Sequence, residues 1–248
     1  MAVAFLVALC AVTIGIVYST AVTTVTLNPT MDSYAWESVP NANNGRSDNF
    51  EITSYDKPPY NMRGWIEFNT SRIPSDVWVL SATLRLRLWH KTVSNPPEGD
   101  TTGRIYGVYR ATQLWGEKTV TWANQPNYTE SHYATTPVPA EQGGWYGPVV
   151  WMGWDVTDIV RDWQQGTPNY GFVVRDTQEN ASTFYSTQFF THDQVPNSGY
   201  FPMLVVTYVH PAAIYALTIA IVVGTTLTTI WLYQKSKTGI GSAPTASQ

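Results

Sequence analysis

Two stretches of this 248-residue chain carry side chains that together could recognise a sugar. In LSATLRLRLWH (80–90), Arg85, Arg87 and Trp89 alternate with aliphatic residues, so on a strand they share one face. In GRIYGVYR (103–110), Arg104, Tyr106 and Arg110 fall at even spacing and share a face in the same way. A flat aromatic ring packs against the C–H face of a pyranose. A guanidinium offers a planar fork of N–H donors that matches a carboxylate. If the two strands are neighbours, the six residues form a basic-aromatic strip suited to a uronate-containing polysaccharide. An ordinary solvated sheet face, or one covered by the 91–102 loop, would use the same residue types.

Other chemistries find less support. The four histidines, His90, His132, His192 and His210, show neither HExxH nor i, i+4 pairing. There is no G-x-S-x-G elbow, and the single cysteine, Cys10, lies in an N-terminal apolar run. A polysaccharide lyase or hydrolase remains an alternative because His90 lies beside the arginine strip, but nothing in the spacing positions a general base there. Asp32 and Asp155 are candidate ligands of a structural calcium, with Asn43 and Asn44 as further oxygen donors, although no ligand loop of defined spacing is present. No cofactor is required.

The elements that must position these residues read as strands. TTVTL, FEITSY, RGWIEF, VWVLSATLRLRLW, GRIYGVYR, PVVWMGWDV, YGFVV, STFYSTQFF and MLVVTYV are separated by Gly/Pro/Asn-rich turns. The pattern predicts an all-β fold, an antiparallel β-sandwich of jelly-roll type. Leu80, Ala82, Leu84, Leu86 and Leu88 are expected to face the core. One exception is WDVTDIVRDWQQG (154–166), which reads as a short helix. Thr157 is the expected N-cap, Ile159, Val160 and Trp163 share one side, and Gly166 ends it. About two turns cannot persist alone in water, so this helix is expected to plug an open end of the sandwich.

Five ordered motifs carry a family resemblance. They are MDSYAWESVPNANNG (31–45), MRGWIEFNTSRIPSDVWVLSATLRLRLW (62–89), TQLWGEKTVTWANQP (112–126), WDVTDIVRDWQQGTPNYGFVV (154–174) and FYSTQFFTHDQVPNSGYFPMLVVTY (184–208). Together they resemble the disaggregatase-related, DNRLRE-type carbohydrate-binding module over about 31–208. The resemblance implies a jelly-roll sandwich on a secreted or surface protein of archaea or bacteria, with acidic, uronate-containing polysaccharides as ligands. The family often accompanies a catalytic domain, whereas this module is expected to stand alone, tethered directly to a membrane.

Both ends of the chain bear on location. Residues 2–17 are apolar and lead to Ser19-Thr20-Ala21, a small-x-small pattern that suits signal cleavage. No Lys or Arg precedes Arg46, so a retained anchor is the alternative reading of residues 1–21. Residues 212–233 are uncharged, long enough for one C-terminal membrane span (placed at 211–234), and followed by Lys235 and Lys237, which favours a cytoplasmic tail, 235–248. Residues 22–210 would then be extracellular. They hold 12 bases and all 18 acids, a formal charge of −6, the wrong sign for a nucleic-acid partner. Asn69, Asn127 and Asn180 head glycosylation sequons, as an external domain permits. The expected protein is a single-pass, non-catalytic polysaccharide-binding module. A surface-layer or adhesion protein that contacts protein neighbours is the competing reading.

Overall fold

The computed structural model describes residues 22–94, 103–131, 134–138, 150–193 and 199–238. The loop residues 95–102, the N-terminal segment 1–21 with Cys10, His132 and the C-terminal residues 239–248 lie outside these. Eleven strands are present among the described residues: β1 (Val22–Leu27), β2 (Pro29–Trp36), β3 (Asn49–Ser54), β4 (Met62–Phe68), β5 (Trp78–Ser94), β6 (Arg104–Arg110), β7 (Ala134–Val138), β8 (Trp151–Asp155), β9 (Phe172–Asp176), β10 (Phe184–Phe190) and β11 (Met203–Val209). The helices are α1 (Thr157–Gln164) and α2 (Pro211–Thr238). Contacts divide the chain into two units, one of residues 24–75 and 79–207, the other containing α2.

The strands run in the order β1-β11-β5-β10-β3-β4-β9-β6-β7, with β2 also on β4 and β8 also on β5. The ladders are antiparallel, and the sheet curls over itself into a sandwich, as the all-β reading expected. The Thr136 hydroxyl on β7 donates to the Gly153 carbonyl on β8, which draws the ends of the curl together. Two strands were not legible in the sequence. β2 buries the polar Asp32 and Ser33 and so shows no clean apolar alternation. β7 is short and contains Pro137.

Phe189 occupies the centre of the core, with the rings of Phe50, Trp154 and Tyr106 at 5.5, 6.2 and 6.5 Å. Ala82, Leu84, Leu86 and Leu88 of β5 are fully buried beside them, but Leu80, expected there too, is 43 % exposed. A second apolar cluster covers the other face of β4, β6 and β9. Trp65, Tyr109 and Val173 pack there under Trp115 and Val120 from the 112–129 loop. The Trp115 indole N–H bonds the Tyr170 carbonyl at 2.9 Å, and Asn124 closes its own turn by accepting from Thr121 N–H at 2.7 Å. The WGEKTVTWANQP stretch is thus a clasp over a sheet face.

Helix α1 buries Thr157, Ile159, Val160 and Trp163. The Trp163 ring lies 4.9 Å from that of Phe172. Gly166 takes φ +101°, and Thr167 N–H closes on the Asp162 carbonyl at 3.0 Å. The cap differs from expectation. Thr157 is the first helical residue, and its hydroxyl accepts from Ala82 N–H on β5 at 2.9 Å. Val156 is the N-cap residue and has no side-chain cap bond, while the Asp155 carboxylate before it accepts from Thr157 N–H at 3.0 Å and so satisfies one free first-turn donor. These bonds to Thr157 hold its carboxyl below the usual range.

In α2, a helix long and apolar enough to cross a membrane, the hydroxyls of Thr218, Thr225, Thr226 and Thr229 donate to carbonyls one turn back at 2.8–3.0 Å. No threonine hydroxyl among these is left to be solvated by lipid.

If α1 closes the core, Trp163→Ala costs about 3–5 kcal/mol and removal of the cap by Asp155→Ala about 1 kcal/mol. Urea titration of the full chain in detergent micelles reads both values. A Trp163→Ala cost below about 1 kcal/mol would make the helix an ornament.

Candidate functional site

Strand β5 pairs with β8 over residues 83–87 and with β10 over residues 88–94. Period-two alternation turns its leucines inward and Arg85, Arg87 and Trp89 outward. Arg85 pairs across the ladder with Gly153 and Arg87 with Trp151. Gly153 carries no side chain, so the Trp151 ring serves both arginines. It lies 5.1 Å from the Arg85 guanidinium and 5.6 Å from that of Arg87. The Tyr200 ring packs on Arg87 from another side at 3.7 Å. The β5–β10 ladder shifts register between Gln188 and Phe189, opposite His90 and Leu88, and so passes over Trp89. Trp89 stacks on Phe190 at 5.7 Å with 22° between the planes, and Tyr200 lies 5.2 Å from Phe190. A continuous strip results: Trp151, Arg85, Arg87, Tyr200, Phe190 and Trp89.

The second stretch does not join it. Strands β5 and β6 are not neighbours, because β10, β3, β4 and β9 separate them in the strand order. Tyr106 is 1 % exposed, its hydroxyl donates to Thr187 Oγ1 at 2.7 Å, and burial pushes its phenol up. It offers no face to a sugar. Arg104 is bidentate on the buried Asp176, at 2.6 and 2.9 Å, and lies over Tyr185. Arg110 lies 3.9 Å from Asp162. A third arginine–aromatic group, Arg63 and Arg175 against Trp122, Tyr109 and Tyr128, is closed by Glu179, which takes Arg63 at 2.7 Å twice and Arg175 at 3.1 Å.

Arg85 and Arg87 differ from all of these. Among the described residues no carboxylate lies within ion-pair range of either, and Arg87 Nε is buried without a hydrogen-bond acceptor. Ring faces attract these guanidinium groups without neutralising them, which leaves N–H groups for an external acceptor. Sequence reasoning missed Trp151, Phe190 and Tyr200. Trp151 had a signal, an aromatic on the outward phase of WMGWD. Tyr200 had none, since it lies in a loop.

The calcium candidates separate. Asp155 is spent on the α1 cap and joins no cluster of potential ligands among the described residues. Asp32 is buried beside His192, with Glu117 and Asp193 close by. The Asp32 carboxylate pushes the His192 imidazole up to about 9, and burial pushes Asp32 itself up. Asn43 and Asn44 donate to backbone carbonyls of Glu117, Val120 and Tyr34 at 2.8–3.1 Å. The sequon asparagines Asn69, Asn127 and Asn180 are exposed. Asn180 has φ +62° and accepts from the Asn61 amide at 2.7 Å.

The two arginine classes are expected to respond oppositely to truncation. Arg104→Ala strands the buried Asp176 carboxylate and costs about 3–5 kcal/mol of stability. Arg87→Ala strands nothing charged and costs about 1 kcal/mol or less, the usual worth of a cation–π contact. Denaturation midpoints of the two variants compare them directly.

No curated protein matches this chain. The family model for carbohydrate-binding module family 96 matches residues 23–206, which contain the sandwich and every residue of the strip. With well over half of its length matched, the chain belongs to carbohydrate-binding module family 96.

Proposed function

We propose that the sandwich binds an acidic, uronate-containing polysaccharide along the Trp151–Arg85–Arg87–Tyr200–Phe190–Trp89 strip and holds it at a cell surface without chemical change. The observation that carries this reading is the contrast in pairing. Arg63, Arg104 and Arg175 are closed on carboxylates of low exposure, whereas among the described residues Arg85 and Arg87 lie against rings with no carboxylate in ion-pair range. A uronate carboxylate supplies the acceptor they lack, and Trp151 or Trp89 supplies the apolar platform for the ring. The extended shape of the strip suits a polymer rather than an end group.

The apolar helix α2 supports a tethered location as part of the same proposal. An external sandwich, a single span and Lys235 and Lys237 on the cytoplasmic side make a tethered receptor. Lys235 lies 5.1 Å from the Trp231 ring and Lys237 4.9 Å from the Tyr233 ring, an aromatic–basic pairing that suits a lipid interface. The tie to the DNRLRE-type modules is part of the same proposal and rests on the five motifs.

The test is isothermal titration of the full chain in micelles with alginate, another polyuronate and a neutral glucan. Polyuronate binding is expected to weaken as salt rises. Arg85→Ala and Arg87→Ala should each lower affinity by about 10- to 100-fold, the worth of one charge-assisted bond. Full affinity in the double variant would move the site off β5. Equal, salt-insensitive binding of the neutral glucan would remove the uronate from the proposal.

A further inference from the structure

Outside the strip, three distant segments bring Asp32, Glu117, His192 and Asp193 together, and one ligand atom from each lies within 4.8 Å of the others. Asp32 is 1 % exposed. Its Oδ2 accepts the His192 backbone N–H at 2.8 Å. Its Oδ1 is sealed from solvent and accepts no hydrogen bond, although His192 Nδ1 lies 3.1 Å away. That Nδ1 is also buried without a hydrogen-bond partner. These two sealed atoms, 3.1 Å apart but poorly aligned for a hydrogen bond, also have the spacing of adjacent ligands on one ion, since metal bonds of about 2.1 Å give about 3.0 Å at right angles and about 3.4 Å at tetrahedral angles. Glu117 Oε1 and Asp193 Oδ1 stand 3.4 and 4.0 Å from the other ring nitrogen.

The surroundings hold these groups in place and satisfy them only in part: Glu117 Oε1 accepts the Asp32 backbone N–H at 3.2 Å, whereas Asp32 Oδ1 and His192 Nδ1 keep no hydrogen-bond partner. The Glu117 main chain is fixed by Asn43, whose amide donates to the Glu117 carbonyl at 2.8 Å. Gly45 permits that approach, because a Cβ there would lie 2.0 Å from the same oxygen. The Thr191 hydroxyl bonds the Ser47 carbonyl at 2.6 Å, tying the end of β10 to the same loop. One proton on His192 balances only one of three carboxylates, whereas a dication balances two. Calcium takes oxygen ligands, but a set that mixes carboxylate with imidazole suits a first-row transition ion.

We infer that Asp32, Glu117, His192 and Asp193 form a structural site for a divalent first-row ion, Mn²⁺ or Zn²⁺, that pins the 43–47 and 112–121 loops to the end of β10. Binding displaces any proton from His192.

The experiment strips the full chain in micelles with EDTA and titrates it with Mn²⁺, Zn²⁺ and Ca²⁺, reading bound metal by elemental analysis and Tm by intrinsic fluorescence. Uptake of one equivalent of Mn²⁺ or Zn²⁺ with a rise in Tm is expected. Asp193→Asn, at a partly exposed position, and His192→Gln should each weaken uptake at least tenfold. The metal-free Tm of Asp193→Asn should stay near that of the parent. No uptake of any ion would overturn the site and leave an imidazolium ion-pair network. Uptake of Ca²⁺ alone, unaffected by His192→Gln, would overturn the imidazole ligand. Uptake unchanged in both variants would place the ion elsewhere and overturn the assignment.

Discussion

Burial of Ala82, Leu84, Leu86 and Leu88 along one face of β5 is the constraint from which the candidate site follows. Side chains on a strand alternate with a period of two, so a one-residue slip would expose four apolar side chains and bury two arginines. The cost of that exchange is many kcal/mol in both directions. The outward set, Arg85, Arg87 and Trp89, is therefore locked by the inward set. The neighbours β8 and β10 then bring Trp151 and Phe190 to the same face, and the register shift at Trp89 lays its ring on Phe190.

Residue types alone do not separate a ligand site from a fold contact here, because arginine–aromatic groupings occur in several places. Partner charge separates them. Arg104 with Asp176, and Arg63 and Arg175 with Glu179, are forks closed on carboxylates of low exposure. Such pairs fix register and loop position, and truncating one member is costly because the other stays buried. The arginines of β5 have no such debt within the described residues.

The sandwich was legible because its signals are local. Nine of the strands show alternation or apolar runs bounded by turn residues, and the helix shows its apolar side and its glycine stop. β2 was hidden because two of its buried positions, one on each face, are Asp32 and Ser33, polar residues that break the apolar alternation. Half of the strip was legible for the same local reason, as three residues of one strand. The other half required knowing which strands touch. The pairing of Arg104 with Asp176 spans 72 residues, and the meeting of Asp32 with His192 spans 160. No spacing rule within a window of a helix turn or a strand reaches so far. Asp155 shows the converse error. It lies two residues before Thr157, and its carboxylate meets the first-turn N–H that the Thr157 hydroxyl was expected to take.

For an acidic module to bind an acidic polymer, as proposed, a local reversal of charge is needed. The segment 22–210 carries a formal −6, so at distances beyond the Debye length of about 8 Å it does not attract a polyanion. Attraction must arise at contact. Arg85 and Arg87, two residues apart on one strand, hold like charges about 7 Å apart. At a surface dielectric between about 20 and 80 their mutual repulsion is about 0.6–2.4 kcal/mol. Ring faces soften this but carry no net charge to cancel it. A carboxylate placed between the two forks gains its own bonds and also removes that repulsion. A neutral sugar on the same rings gains the stacking without the relief. The proposed selectivity for acidic residues would in this way originate in the free protein, as an unfavourable term that an anion cancels.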